Sequence, residues 1–159
     1  MPKRVIMRAD LHGTSSPAAQ GVRPFSFGDR QGLGTLLFDA YLGTIDQEEE
    51  TLEQAHAEID KTISGEYGVF LPSSSMVVER SGVLHSAALL TRFHDRPFVA
   101  FSITSPHSKN QGLARACISA AMAELLVGGE RELHLVVTLA NAPALHLYKS
   151  LGFEVERDV

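Results

Sequence analysis

Apolar residues recur along this chain at two different spacings, and the switch between them divides it into strands and helices. Short apolar, β-branched stretches at Lys3–Arg8, Val22–Phe25, Met76–Glu79, Val83–Phe93, Phe98–Thr104 and Leu133–Leu139 read as strands, and Phe153-Glu154-Val155 opens one more. Turns at Arg80-Ser81-Gly82 and His94-Asp95-Arg96-Pro97 make the middle three an antiparallel meander. Helical spacing first shows at Leu33, Leu36, Leu37, Ala40 and Tyr41, behind a capping-box pattern at Ser26–Asp29 and ahead of Gly43. A second such pattern, Thr44-Ile45-Asp46-Gln47, predicts a helix over about Asp46–Ile63 with Leu52, Ala55, Ile59 and Ile63 inward. Two further helices are expected over Gly112–Val127, stopped by Gly128-Gly129, and over Ala142–Ser150. His12–Gly21 and Ser64–Ser75 have no periodicity and read as loops. The strand-helix-strand-helix-strand order of the C-terminal half implies right-handed crossovers and a mixed sheet. The fold class is therefore α/β (α+β).

Composition narrows the field. A chain of 159 residues, 44% apolar and 21% charged, is one globular unit with room for a full core. Its net charge of −5 argues against a nucleic-acid partner. The single Cys117 leaves no internal disulfide and fits a reducing compartment. No apolar run approaches the ~20 residues that a spanning helix needs. Lys3 and Arg4 are not followed by the apolar stretch of a signal peptide. A soluble, cytoplasmic protein without membrane or metal is the expectation.

Chemistry concentrates in two stretches. Lys109-Asn110-Gln111-Gly112-Leu113-Ala114 is a glycine turn opening a helix. Helix-start N–H groups lack helical partners and sit at the positive end of the dipole, where a diphosphate fits. Gly112 lets backbone approach phosphate, Ala114 keeps the next contact small, and Lys109 adds charge. The other stretch runs from Asn141 to Phe153. Asn141 suits a cap, Pro143 an early helical position and Gly152 the exit, with Tyr148 in the second turn. Other nucleotide motifs fail: there is no Walker pattern, and Gln31-Gly32-Leu33-Gly34 lies inside an amphipathic helix.

In this order, the two stretches resemble the GCN5-related N-acetyltransferase superfamily, from about Val22 to the C-terminus. The superfamily's turn reads Gln or Arg, two residues, Gly, one residue, Gly or Ala; here Lys109 keeps the charge but not the planar fork of arginine. The resemblance implies a three-layer fold, with a mostly antiparallel twisted sheet, helices on both faces and a splayed central pair, Phe98–Thr104 and Leu133–Leu139. It implies acetyl-CoA as cosubstrate, with the pyrophosphate held at Lys109, Asn110, Gln111, Gly112, Leu113 and Ala114. The pantetheine arm would bond main-chain groups of Ser102, Ile103 and Thr104. Asn141 would bond that arm or cap its pocket, Ala144 would leave room for it, and Tyr148 would protonate the leaving thiolate. An N–H of Ile103 or Thr104 would polarise the thioester oxygen. The implied activity is acyl transfer to a primary amine, of a small molecule or peptide, by direct attack. The alternative is a coenzyme A-binding sensor without chemistry. Homodimers are common in the superfamily.

No glutamate stands on Phe98–Ile103, where the superfamily often keeps its base. His85, His94, His134 and Glu79 are the candidates, or a water relay. The acidic run Asp46, Glu48, Glu49, Glu50, Glu53 reads either as dipole complement at a helix start or as the site of a cationic acceptor, with Tyr41 and Tyr67 beside it. The superfamily usually ends with two strands after its last helix, whereas this chain has length for one. Residues 1–21 carry an extra strand and linker ahead of the 22–159 domain. That extra strand is expected in the missing strand's slot, in its own chain or a dimer partner's.

Overall fold

A computed structural model describes residues 2–12 and 21–159, so the loop expected over 12–21 lies largely outside the described residues. In chain order the elements are β1 (Arg4–Asp10), β2 (Val22–Pro24), α1 (Arg30–Tyr41), α2 (Leu52–Ser64), β3 (Val69–Phe70), β4 (Met76–Arg80), β5 (Val83–Phe93), β6 (Arg96–Thr104), α3 (Leu113–Val127), β7 (Glu132–Thr138), α4 (Ala142–Ser150) and β8 (Glu154–Asp158). They build one sheet in the order β2-β4-β5-β6-β7-β1-β8, with β3 pairing the far end of β5. The β6–β7 pair is parallel, and the remaining pairs are antiparallel.

Alternation along the strands makes two cores. Val77, Ala87, Leu89 and Ile103 face α1 and α2, where Leu33, Leu36, Leu37, Ala55 and Ile59 are buried. Their neighbours Met76, Val78, Ala88 and Leu90 face the other way, onto Leu113, Cys117, Ile118, Ala121 and Leu125 of α3. The result is the expected three-layer arrangement. β1 lies between β7 and β8, antiparallel to both, and so fills in its own chain the slot assigned to it. Among the described residues, no helix is long and apolar enough to cross a membrane.

Three local expectations need correction. First, α2 begins at Leu52, not near Asp46. The chain carries two Thr-x-x-Gln patterns, and the second one caps the helix: Thr51 Oγ1 accepts from the Gln54 backbone N–H at 3.1 Å, while Gln54 Oε1 accepts from the Thr51 N–H at 3.3 Å. In the first, the Gln47 side chain instead folds back to accept from the Gly43 N–H at 2.9 Å. Residues 42–51 are thus a loop. Second, Ser64–Ser75 contains the two-residue strand β3. Third, the β5–β6 turn is only His94-Asp95, both at positive φ, so Arg96 and Pro97 already pair with Phe93 and Arg92.

Candidate functional site

The sheet opens between β6 and β7. These strands pair only at Phe98↔His134 and Val99↔Leu135. There the β5–β6 register shifts, so that Leu90 faces Val99 but Leu89 faces Phe101, and Ala100 is the extra residue. Such a bulge bends a strand and increases its twist. It carries residues 100–104 away from β7, and no bridge joins the two strands beyond it among the described residues.

A cavity of about 750 Å³ fills the opening. Ser102, Ile103 and Thr104 form one wall; Asn141, Ala144, Leu147 and Tyr148 form the other. Its outer end is the turn Lys109, Asn110, Gly112, Leu113, Ala114 and Arg115. Of the motif residues that the resemblance assigns to the cosubstrate, only Gln111 does not line it; Gln111 Oε1 accepts from the Arg80 guanidinium at 3.0 Å.

The turn is built as a cradle. Asn110 and Gly112 take left-handed φ values of 63° and 74°. A Cβ at Gly112 would meet nothing within 4 Å, so backbone conformation and the space above it, not packing, call for glycine. The first helical bond at this end runs from Ala116 N–H to Gly112 O, at 3.0 Å. Among the described hydrogen bonds, the N–H groups of Leu113, Ala114 and Arg115 have no protein acceptor. Three orphan donors over an open space at a helix N-terminus fit a diphosphate. Beneath the turn, His85 Nδ1 and Ser108 Oγ are bonded at 2.7 Å.

The opposite wall is fixed by Asn141. Its Oδ1 accepts from the Ala144 N–H at 3.2 Å, capping α4, and its Nδ2 donates to Asp46 at 2.9 Å. Thr138 Oγ1 donates to the other oxygen of Asp46 at 3.1 Å. Asp46 thereby latches the α1–α2 loop onto the β7–α4 junction. One turn along α4, the Tyr148 ring stands edge-on to Phe153, centroids 5.9 Å apart. Burial pushes the Tyr148 phenol above its ordinary pKa, the Ser102 hydroxyl opposes that shift, and the Asp46 carboxylate adds to it. Tyr148 therefore holds its proton at neutral pH.

Tyr148, Tyr41, Asp46, Ser102, Asn141 and Ala144 also line a second cavity of about 810 Å³, so the two share the wall around Tyr148. Its floor is Phe98, Ala100 and Val136, and the loop 42–51 with α2 stands over it.

Residues 89–159 match the family model described as FR47-like protein. By structure, the chain superposes over most of its length on solved acetyltransferases. It covers 99% of its length on a GCN5-related N-acetyltransferase from Sphaerobacter thermophilus (17% identity, TM-score 0.75) but spans 49% of that protein. The chain has the fold of the GCN5-related N-acetyltransferase superfamily. The ribosomal-protein-S18-alanine N-acetyltransferase of Escherichia coli is similar over 84% of this chain and 76% of its own (22% identity, TM-score 0.64). The PaiA N-acetyltransferase of Thermoplasma acidophilum, solved with coenzyme A, is similar over 85% and 89% (19% identity, TM-score 0.65). No curated protein matches the chain by sequence.

Within this fold, the four candidate bases scatter. His85 is bonded to Ser108 at the turn. Glu79 of β4 pairs with Arg23 of the adjacent β2 at 3.4 Å and lines neither cavity. His134 is fully buried under Phe98, and burial pushes its pKa down. Only His94 lines the second cavity, at its rim. A residue assigned no such role from sequence lies deeper: Glu49, 8% exposed. The signal was the acidic run, whose place on a loop was hidden by the competing cap.

Proposed function

We propose that the chain is an acyl-CoA-dependent N-acyltransferase that moves an acetyl group from acetyl-CoA to a primary amine. The observation that carries this reading is one continuous cleft. It runs from three unpaired helix-start N–H groups, through the opening between β6 and β7, to the Tyr148 phenol, where a second cavity begins. Acetyl-CoA supplies the activated thioester.

The chain's own groups then have separable tasks. The N–H groups of Leu113, Ala114 and Arg115 hold the pyrophosphate, with Lys109 beside them. Main-chain groups of residues 102–104, freed by the bulge, align the pantetheine arm as a strand edge aligns a peptide. An N–H of Ile103 or Thr104 donates to the thioester oxygen as negative charge grows there. Ala144 leaves room for the arm, and Asn141 keeps α4 and the α1–α2 loop in register at its wall. Tyr148 donates its proton to the sulfur as the carbon–sulfur bond breaks. A phenol kept protonated by burial is suited to that task. The acceptor enters from the second cavity. The relatives act on amines, among them a ribosomal-protein alanine. We place the protein in the cytoplasm, where acetyl-CoA and a free Cys117 thiol are both stable.

The test is thiol release from acetyl-CoA with purified protein and a panel of primary amines. Saturable, amine-dependent release is the expected result. Coenzyme A binding without release on any amine would overturn the transferase reading.

A further inference from the structure

The second cavity has an acidic side whose chemistry the transfer step leaves open. Its carboxylates are mostly engaged. Glu48 pairs with Arg4 at 3.1 Å, Glu58 accepts from Tyr67 Oη at 2.6 Å, and Asp46 accepts from Thr138 and Asn141. Glu49 differs. It is 8% exposed, lines the cavity, and has no side-chain partner among the described residues. Its carboxylate accepts only from its own backbone N–H, and a carboxylate this far withdrawn from bulk water ordinarily gains a cation or further donors.

Resting on the proposed acetyl transfer, we infer that Glu49 receives the acceptor's ammonium group and takes its proton. The acceptor is a protonated primary amine on an apolar stem that lies over Phe98 and Phe93. Those rings pack edge-to-face at 5.9 Å, giving the stem an apolar bed, and the cavity is of ligand size. A cationic head there also gains from the Tyr41 and Tyr67 rings along the same cavity.

The balance is simple. The ammonium enters charged and pairs with Glu49. One N–H proton passes to the carboxylate, and the freed lone pair forms the new carbon–nitrogen bond as the carbon–sulfur bond breaks. The sulfur takes the Tyr148 proton, the nitrogen gives its second proton to the Tyr148 phenolate as it becomes the amide nitrogen, and Glu49 passes its proton to solvent. Burial pushes the Glu49 carboxyl upward, toward the useful range for a base, with Glu48 and Glu58 adding to the rise and its own backbone N–H opposing it. The charged groups around the cavity are Asp46 and Glu48 of the same loop, Glu58 of α2, Glu66 after it, Arg4 of β1, His94 and Arg96 at the β5–β6 turn, and Arg157 of β8.

The experiment compares the full chain with Glu49→Gln, Glu49→Asp and the exposed-surface control Glu53→Gln. Thiol release from acetyl-CoA is followed with hexylamine, phenethylamine, spermidine and lysine methyl ester, between about pH 6 and 9. The wild type should give a plateau in kcat/KM, because carboxylate and ammonium together form the productive pair. Glu49→Gln should lose about 100-fold or more near neutrality. Its residual rate should climb about tenfold per pH unit, because only the free amine can react. Coenzyme A affinity should stay within about twofold, Glu49→Asp should restore the plateau at lower rate, and Glu53→Gln should match wild type. A Glu49→Gln rate near wild type, an unchanged pH profile, or a loss confined to coenzyme A affinity would overturn the assignment. Should Glu49→Gln not fold, loss of the plateau in Glu49→Asp would overturn it likewise. Absence of turnover by the wild type on every amine would instead bring down the transferase reading on which it rests.

Discussion

The cradle at Gly112 allows a matched-pair prediction. Gly112 and Gly129 open and close α3 with φ of 74° and 91°, and a Cβ at either would meet nothing within 4 Å. A side chain at either position is charged mainly for the left-handed backbone, about 1–2 kcal/mol. In a domain of this size that lowers the melting temperature by about 2–8 °C, equally for Gly112→Glu and Gly129→Glu. Their effects on coenzyme A should part completely. A carboxylate at 112 enters the space above the orphan N–H groups. About 4 Å from a phosphate oxygen, it repels with about 4 kcal/mol at an effective dielectric of about 20. At about 1.4 kcal/mol per decade, that is a loss of about 10³-fold in affinity. Gly129→Glu should bind coenzyme A within about twofold of wild type, at equal ionic strength. Thermal unfolding and calorimetric titration read both quantities. Equal binding by the two variants would refute the placement of the diphosphate.

Tyr148→Phe should lower turnover about 100-fold or more while coenzyme A affinity stays within about twofold, as steady-state rates and titration would show. Asp29 is 7% exposed and holds Arg23 through two bonds of 2.7 and 2.9 Å. Burial raises its pKa, but Arg23 and the Ser26 N–H outweigh that and leave it lowered. Its contribution is therefore present above its unfolded value near 3.9 and is lost as pH falls through the lower folded one. Asp29→Ala should cost about 2–3 kcal/mol in urea unfolding at neutral pH and flatten the acid limb. Thr51→Ala should cost about 1 kcal/mol by losing a cap, and Thr44→Ala clearly less; the reverse order would contradict the helix start at Leu52.

What the sequence made legible follows from where its signals are local. α4 runs over Ala142–Ser150 as expected because Asn141, Pro143 and Gly152 bracket it chemically. α3 starts one residue late only because Gly112 is its cap. The meander is readable because Ser81-Gly82 and His94-Asp95 punctuate apolar runs of strand length. The start of α2 is not, because two Thr-x-x-Gln patterns compete and only tertiary bonds to Asp46 decide between them. β3 is too short to show a period. The location of β1 could be inferred only from counting strands against a family. Of the proposed site, the half assigned to coenzyme A lies on motifs. The acceptor half does not: Glu49 is one of three adjacent glutamates, and nothing local distinguishes the one that the fold buries.

The central claim is that coenzyme A enters the gap left by the bulge at Ala100, with its pyrophosphate on the first turn of α3. A crystal structure of the complex with coenzyme A tests it most directly. The account predicts phosphate oxygens about 3 Å from the N–H groups of Leu113, Ala114 and Arg115, and the thiol beside Tyr148. Coenzyme A bound on any other face, with these donors left to solvent, would contradict it.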